Sequence, residues 1–206
     1  MGMNGLNKQE VQKYWVDRSQ QQGKKTVGFI GHDLNQQNKE YDEKISFVLP
    51  WVDRELLTLD YGCGVGRWSW IFDRYIGVDI TQNLLDVAIK ENPYKKYYYL
   101  STPTLENFTA VDLSQVKQFF ASTVLQHCDD DLCDNIIQTF ALHKPVSPTF
   151  ILYETSIKEG AYHNKGRSAL EYANIISKHF SVKEVKSEEH LVHNQPHTVS
   201  KIITNA

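Results

Sequence analysis

An apolar run that closes on an acid and passes straight into alternating glycines constrains this chain more than any other feature. Leu56-Leu57-Thr58-Leu59 leads into Asp60, glycines follow at 62, 64 and 66, and Arg67-Trp68-Ser69-Trp70-Ile71-Phe72 continues at helical spacing. The spacing predicts a strand to Gly62, a tight turn, and a helix over 66–74. Glycines in such a turn admit positive φ and let a ligand approach the main chain. A helix start leaves N–H groups facing whatever lies over the turn. Tyr75-Ile76-Gly77-Val78 reads as a second buried strand, tipped by Asp79 and followed by Ile80. A carboxylate at that tip can accept two hydroxyl protons, as a ribose would offer them. The dinucleotide pattern G-x-G-x-x-G is broken because its third glycine falls on Arg67. The two strand ends therefore describe a nucleoside pocket with no evident pyrophosphate clamp.

Asp60 to Arg67 spell D-x-G-C-G-x-G-R. With Asp79, this pattern resembles the first two motifs of the class I S-adenosylmethionine-dependent methyltransferases, over about residues 53–204. The resemblance implies an α/β fold: a Rossmann-like seven-stranded, mostly parallel sheet with an antiparallel last strand and helices on both faces. It implies S-adenosyl-L-methionine as cofactor and S-adenosyl-L-homocysteine as product. Asp60, Gly62, Cys63, Gly64, Gly66 and Arg67 would lie under the methionine part, Asp79 on the ribose and Ile80 on the adenine, with Thr102 and Thr123 completing the pocket. Tyr14-Trp15, Arg18, Val27-Gly28-Phe29, Gln37 and Tyr41 resemble the front end of small bacterial and viral members, where that segment folds over the cofactor. Residues 1–52 are thus expected as a helical lid and 53–206 as the core of one domain overall. Tyr14 and Trp15 would line the sulfonium by cation–π attraction; as helix residues they equally suit an apolar packing face.

The remaining elements follow from periodicity. Helices are expected over 6–22, 36–52, 81–92, 130–144 and 168–179, with Thr81 as an N-cap and Asp129 to Asp131 suiting a positive helix end. Strands are expected at 97–100, 116–126, 149–154, 181–192 and 197–204, and glycine-punctuated residues 23–32 as a loop.

Methyl transfer from a sulfonium is an in-line displacement, and a base is needed only where the nucleophile must lose a proton. His127, at the tip of the fourth strand, is a candidate base or substrate contact, and equally a packed loop residue. Glu154, ending the fifth strand, is the second catalytic candidate. Tyr162, His163 and Arg167 form a candidate substrate cover. Arg67 has a second reading as a surface guanidinium at a helix start. His193 and His197 flank the last turn, but no metal-ligand spacing is present, so no metal is expected.

A 206-residue chain with 41% hydrophobic residues can bury one core. A net charge of −3 carries no global basic footprint, so a nucleic acid is not indicated. Glu91-Asn92-Pro93-Tyr94 has only one proline and sits after a helix, unlike the motif of amino-methylating DNA enzymes. Three cysteines without pair spacing, no signal core and no long apolar run suggest a cytoplasmic protein with no membrane partner. The expected partner is a small-molecule acceptor with an oxygen or nitrogen nucleophile. Alternatives are a macromolecular acceptor (RNA, nucleotide or peptide) and a non-catalytic cofactor-binding module. Oligomeric state is not legible.

Overall fold

The computed structural model describes residues 5–22, 34–156, 164–192 and 195–205. Among them one seven-stranded sheet organises the chain. Its strands are β1 (Thr58–Tyr61), β2 (Tyr75–Asp79), β3 (Lys96–Tyr99), β4 (Gln118–Ser122), β5 (Thr149–Thr155), β6 (Val182–Val192) and β7 (Gln195–Thr204). The spatial order is β3-β2-β1-β4-β5-β7-β6. The first five strands are parallel, and β7 runs antiparallel between β5 and β6. This is the Rossmann-like sheet expected from the motifs. The order reverses between β1 and β4, the place where open α/β sheets bind ligands.

The helices are α1 (Lys8–Gln22), α2 (Leu34–Val48), α3 (Gln82–Glu91), α4 (Asp130–Ala141) and α5 (Ala169–Ile176). Strand alternation sorts the core into two clusters. Leu59, Ile76, Val78, Phe119, Phe150 and Leu152 join Val11 of α1, Ile136 and Phe140 of α4 and Ile176 of α5. Tyr75, Phe120, Ile151 and Tyr153 join Ile45 and Val48 of α2 with Trp68, Ile71 and Phe72.

Several boundaries differ from the periodicity. The helix expected over 66–74 is only a 3-10 turn, Ser69–Ile71. Trp68, Ile71 and Phe72 have the helical spacing and all bury, but one turn exhausts the pattern. Phe72 is already extended, and the chain must enter β2 at Tyr75. With no full helix in this crossover, α2 supplies Ile45 and Val48 to that face of the sheet. The helix expected to reach residue 52 ends at Val48 and continues as a 3-10 turn, Leu49–Trp51, with Pro50 inside it. The strand expected over 116–126 is cut to Gln118–Ser122. Thr123 then takes φ of 55°, and Leu125–His127 forms a 3-10 turn. Thr81 does stand at the N-cap of α3, but its side chain makes no cap bond. Asp129 caps α4 by accepting from Leu132 N–H at 2.7 Å, and Ser168 with Glu171 forms a capping box on α5. The loop expected at 23–32 lies outside the described residues. No helix among the described residues is long and apolar enough to cross a membrane.

Candidate cofactor and acceptor site

β1 and β2 are paired with Tyr61 beside Val78, so the glycine turn and Asp79 emerge together at the C-terminal edge of the sheet. Gly62, Gly64 and Gly66 have φ of +73°, +55° and +71°. That left-handed alternation is costly for residues with a Cβ. It folds the turn back on β2, where Gly62 and Cys63 N–H donate to the Val78 carbonyl at 2.8 and 3.0 Å. A Cβ on Gly62 would stand 2.6 Å from a Val124 methyl, and one on Gly66 would stand 2.5 Å from Tyr97 Oη. Gly62→Ala is expected to lower unfolding free energy by about 2–4 kcal/mol, combining left-handed strain with overpacking. Adding Val124→Ala removes the clash, so the double variant should be at least about 1 kcal/mol more stable than the single losses sum to. Urea denaturation of the four proteins measures this.

Asp79 is 7% exposed. Its Oδ2 accepts from Gly64 N–H and its Oδ1 from Thr81 N–H, each at 2.8 Å. Burial raises its pKa against these bonds. A carboxylate has about four acceptor positions, and besides these two amides the Ile80 N–H also acts on this one, leaving capacity for a ribose hydroxyl. The donor set and the left-handed turn thus fit a nucleoside ribose at this edge. Ile80, beside it, is half-buried against the neighbouring core.

Asp60 lies on the face of the sheet that carries Tyr75, is 1% exposed, and accepts from Tyr75 Oη at 2.7 Å. Burial pushes its pKa up to about 7, with the Tyr75 bond opposing and Asp79 adding to the rise. The unfolded chain loses this proton near pH 4, so the folded state binds more protons between about pH 4 and 7. Stability should therefore fall as pH rises through that window. Asp60→Asn should remove up to about 1.4 kcal/mol per pH unit of that slope, measured by urea denaturation at pH 5, 6 and 7.

The other expected residues fall into place unevenly. Cys63 is buried, which pushes its thiol well above the usual range and leaves it a packing group. Arg67 is half-buried, its carbonyl accepting from Tyr41 Oη and its guanidinium 5.7 Å from the Tyr41 ring. That is neither an exposed nor a purely cofactor-facing arginine. Thr102 Oγ1 lies 3.1 Å from Thr104 Oγ1, in a segment that α1 holds through Lys8 and Gln12. Thr123 N–H donates to the Tyr153 carbonyl at 2.8 Å, tying the strained tip of β4 to β5. Tyr14 and Trp15 meet edge to face, and Arg18 lies 5.2 Å from the Trp15 ring, so the cation these rings hold is an internal one. His127 is buried, edge-on to Trp15 at 5.0 Å, and its carbonyl accepts from Leu6 N–H.

Two expected roles change. Glu154 was expected to meet substrate. Its oxygens instead accept from the N–H groups of Val124, Leu125 and Gln126 at 2.9–3.3 Å. Burial raises its pKa to about 7 against those amides. It holds the turn after β4. Arg167 was expected on a substrate cover. It is buried and donates to the carbonyls of Leu125 and Cys128 and to Asp130. A guanidinium so engaged pins the start of α4. Tyr162, His163 and His193 lie outside the described residues. Sequence reasoning missed Tyr75 and Tyr153; neither carries a motif, because each matters through a neighbour brought in by the sheet.

No protein-family profile and no curated protein matches the sequence. Solved structures do match. Magnesium protoporphyrin IX methyltransferase from Synechocystis, with SAH bound, shares 15% identity at a TM-score of 0.66, over 93% of this chain and 97% of that one. An S-adenosylmethionine-dependent methyltransferase from Anabaena variabilis shares 14% at 0.65, over 100% and 98%. Phosphoethanolamine N-methyltransferase 1 from Haemonchus contortus shares 11% at 0.68, over 98% of this chain and 51% of that one. At such identities the likeness is one of fold, and the fold is that of the class I methyltransferases.

Proposed function

We propose that the chain is an S-adenosylmethionine-dependent methyltransferase acting on a small-molecule oxygen or nitrogen acceptor. The observation that carries this reading is the pairing of three left-handed glycines with a carboxylate held against their own turn, at the C-terminal edge of adjacent strands. When bound, the cofactor supplies an electrophilic methyl carbon with a good leaving group. Residues 62–66 would cradle the methionine part through main-chain groups. Asp79 would hold the ribose, Ile80 would cover the adenine, and the segment 122–128 would face the reacting end. Glu154 and Arg167 act as positioning residues by fixing the turn that follows β4. Holding an acceptor in line and excluding water can contribute about 7–11 kcal/mol to such a transfer. A displacement of this kind does not require a dedicated base in every case.

Calorimetric titration of S-adenosylhomocysteine into the protein tests the reading. Micromolar binding is the expected result; no binding at millimolar ligand overturns it. The matching folds include methyltransferases of a porphyrin and of phosphoethanolamine, which supports a small acceptor.

A further inference from the structure

Tyr153 is 0% exposed near the end of β5, yet its hydroxyl has no hydrogen-bond partner among the described residues. A buried hydroxyl without a partner is unfavourable, so its presence points to a partner that arrives from outside the chain. Burial holds the phenol pKa above its ordinary value, so this hydroxyl is a donor. The ring lies parallel to His197, with centroids 5.4 Å apart. His197 Nδ1 is 3.2 Å from the Gln195 carbonyl, which assigns the proton to Nδ1. Burial, with Lys44 and His190 adding to it, lowers the His197 pKa to about 4, so the imidazole is neutral and weakly basic.

The neighbouring strand and helix extend the cluster. His190 pairs with His197 across β6 and β7, and its Nε2 is a second buried atom without a partner among the described residues. It stacks on Phe47 at 4.5 Å, and Phe47 lies 6.2 Å from Tyr153. Positions 40, 44 and 47 share one side of α2. They bring Glu40 and Lys44 to the same face as Arg67 from the glycine turn. Burial lowers the Lys44 pKa to about 8, with Glu40 opposing. Neither expected catalytic candidate serves this face as a base: Glu154 is committed to three amides, and His127 packs with Trp15, which belongs to the opposite core cluster.

Building on the methyltransferase reading, we propose that Tyr153, with His190 and Lys44, forms the acceptor subsite and that it takes a small-molecule carboxylate. A carboxylate is already ionised at neutral pH, so donors and a cation suit it and a base is unnecessary. A lone pair of the carboxylate oxygen forms the new O–CH3 bond as the S–CH3 bond breaks. The bonding electrons stay on sulfur, leaving a neutral thioether and a methyl ester, with no proton released.

The test uses benzoate, phenylacetate and hexanoate, each beside its amide, with phenethylamine as the amine probe. Binding is read calorimetrically on the S-adenosylhomocysteine complex, and transfer by S-adenosylhomocysteine formed from S-adenosylmethionine. At least one carboxylate should bind and react about tenfold or more better than its amide, as one charge-assisted contact would give. Tyr153→Phe and Lys44→Met should each cut that preference severalfold, with S-adenosylhomocysteine affinity and melting temperature unchanged. Preference for an amide or the amine, carboxylate preference unchanged in both variants, or no carboxylate bound to the complex would overturn the proposal. Failure of the wild type to bind S-adenosylhomocysteine would instead overturn the reading beneath it.

Discussion

Asp79→Ala is expected to weaken S-adenosylhomocysteine binding at least about 30-fold, since truncating a buried, hydrogen-bonded charge costs roughly 2–5 kcal/mol. The carboxylate acts on both sides of the pocket. Toward the protein it accepts from Gly64 and Thr81 N–H and holds the glycine turn onto β2. Toward a ligand, on the proposed reading, its remaining acceptor capacity would take a ribose hydroxyl. Alanine removes both functions and leaves two buried amides unsatisfied. Asp79→Asn impairs both less severely, because its oxygen can serve one amide while its NH2 faces the other N–H. It should bind more weakly than wild type and melt lower. Calorimetry gives the affinity and thermal denaturation the stability. An Asp79→Ala protein that binds as tightly as wild type would remove the ribose assignment.

Val48→Asp is expected to unfold the protein at 37 °C. Val48 is 0% exposed in the cluster that contains Phe120 and Ile151 from the central strands. An unpaired carboxylate there costs several kcal/mol, against a total stability of about 5–15 kcal/mol for a domain of this kind. Glu43→Gln, on the exposed side of the same helix, should change stability by less than about 0.5 kcal/mol. The contrast matters for how residues 1–52 are understood. A cover that closes on substrate would tolerate Val48→Asp with altered turnover and unchanged melting. A helix that completes the core would not, and the packing of Ile45 and Val48 supports the second. The same packing predicts that deleting residues 1–52 gives no cooperative unfolding transition by calorimetry.

Much of the cofactor edge was legible because its chemistry is written in local backbone requirements. Gly62, Gly64 and Gly66 are needed where φ is positive, and Asp79 sits one residue beyond an unbroken apolar strand. Those are demands that neighbouring residues impose on each other. The acceptor side was not legible in this way. Tyr153 reads as one more apolar strand residue until β7 places His197 beside it and α2 places Phe47 over it. Glu154 reads as a reactive acid at a strand tip, but the turn after β4 presents three amides to it. Arg167 reads as a loop cation, but its donors meet carbonyls about forty residues earlier in the chain. The missing helix after the glycine turn shows the same limit. Trp68, Ile71 and Phe72 have a helix's spacing, and only the distance to β2 decides that one turn is all there is.

By itself, then, the sequence determined the strand–glycine–acid edge, the parallel sheet and the cofactor class that edge resembles, because turns, caps and strand periodicity are set by residues close in the chain. Tertiary structure alone decided that α2 is a wall of the core, that Glu154 and Arg167 brace the β4 tip, and that Tyr153, His190, His197 and Lys44 share one face. Those assignments depend on burial and on partners from distant segments, and the free energy of a buried polar group is set by what surrounds it in space.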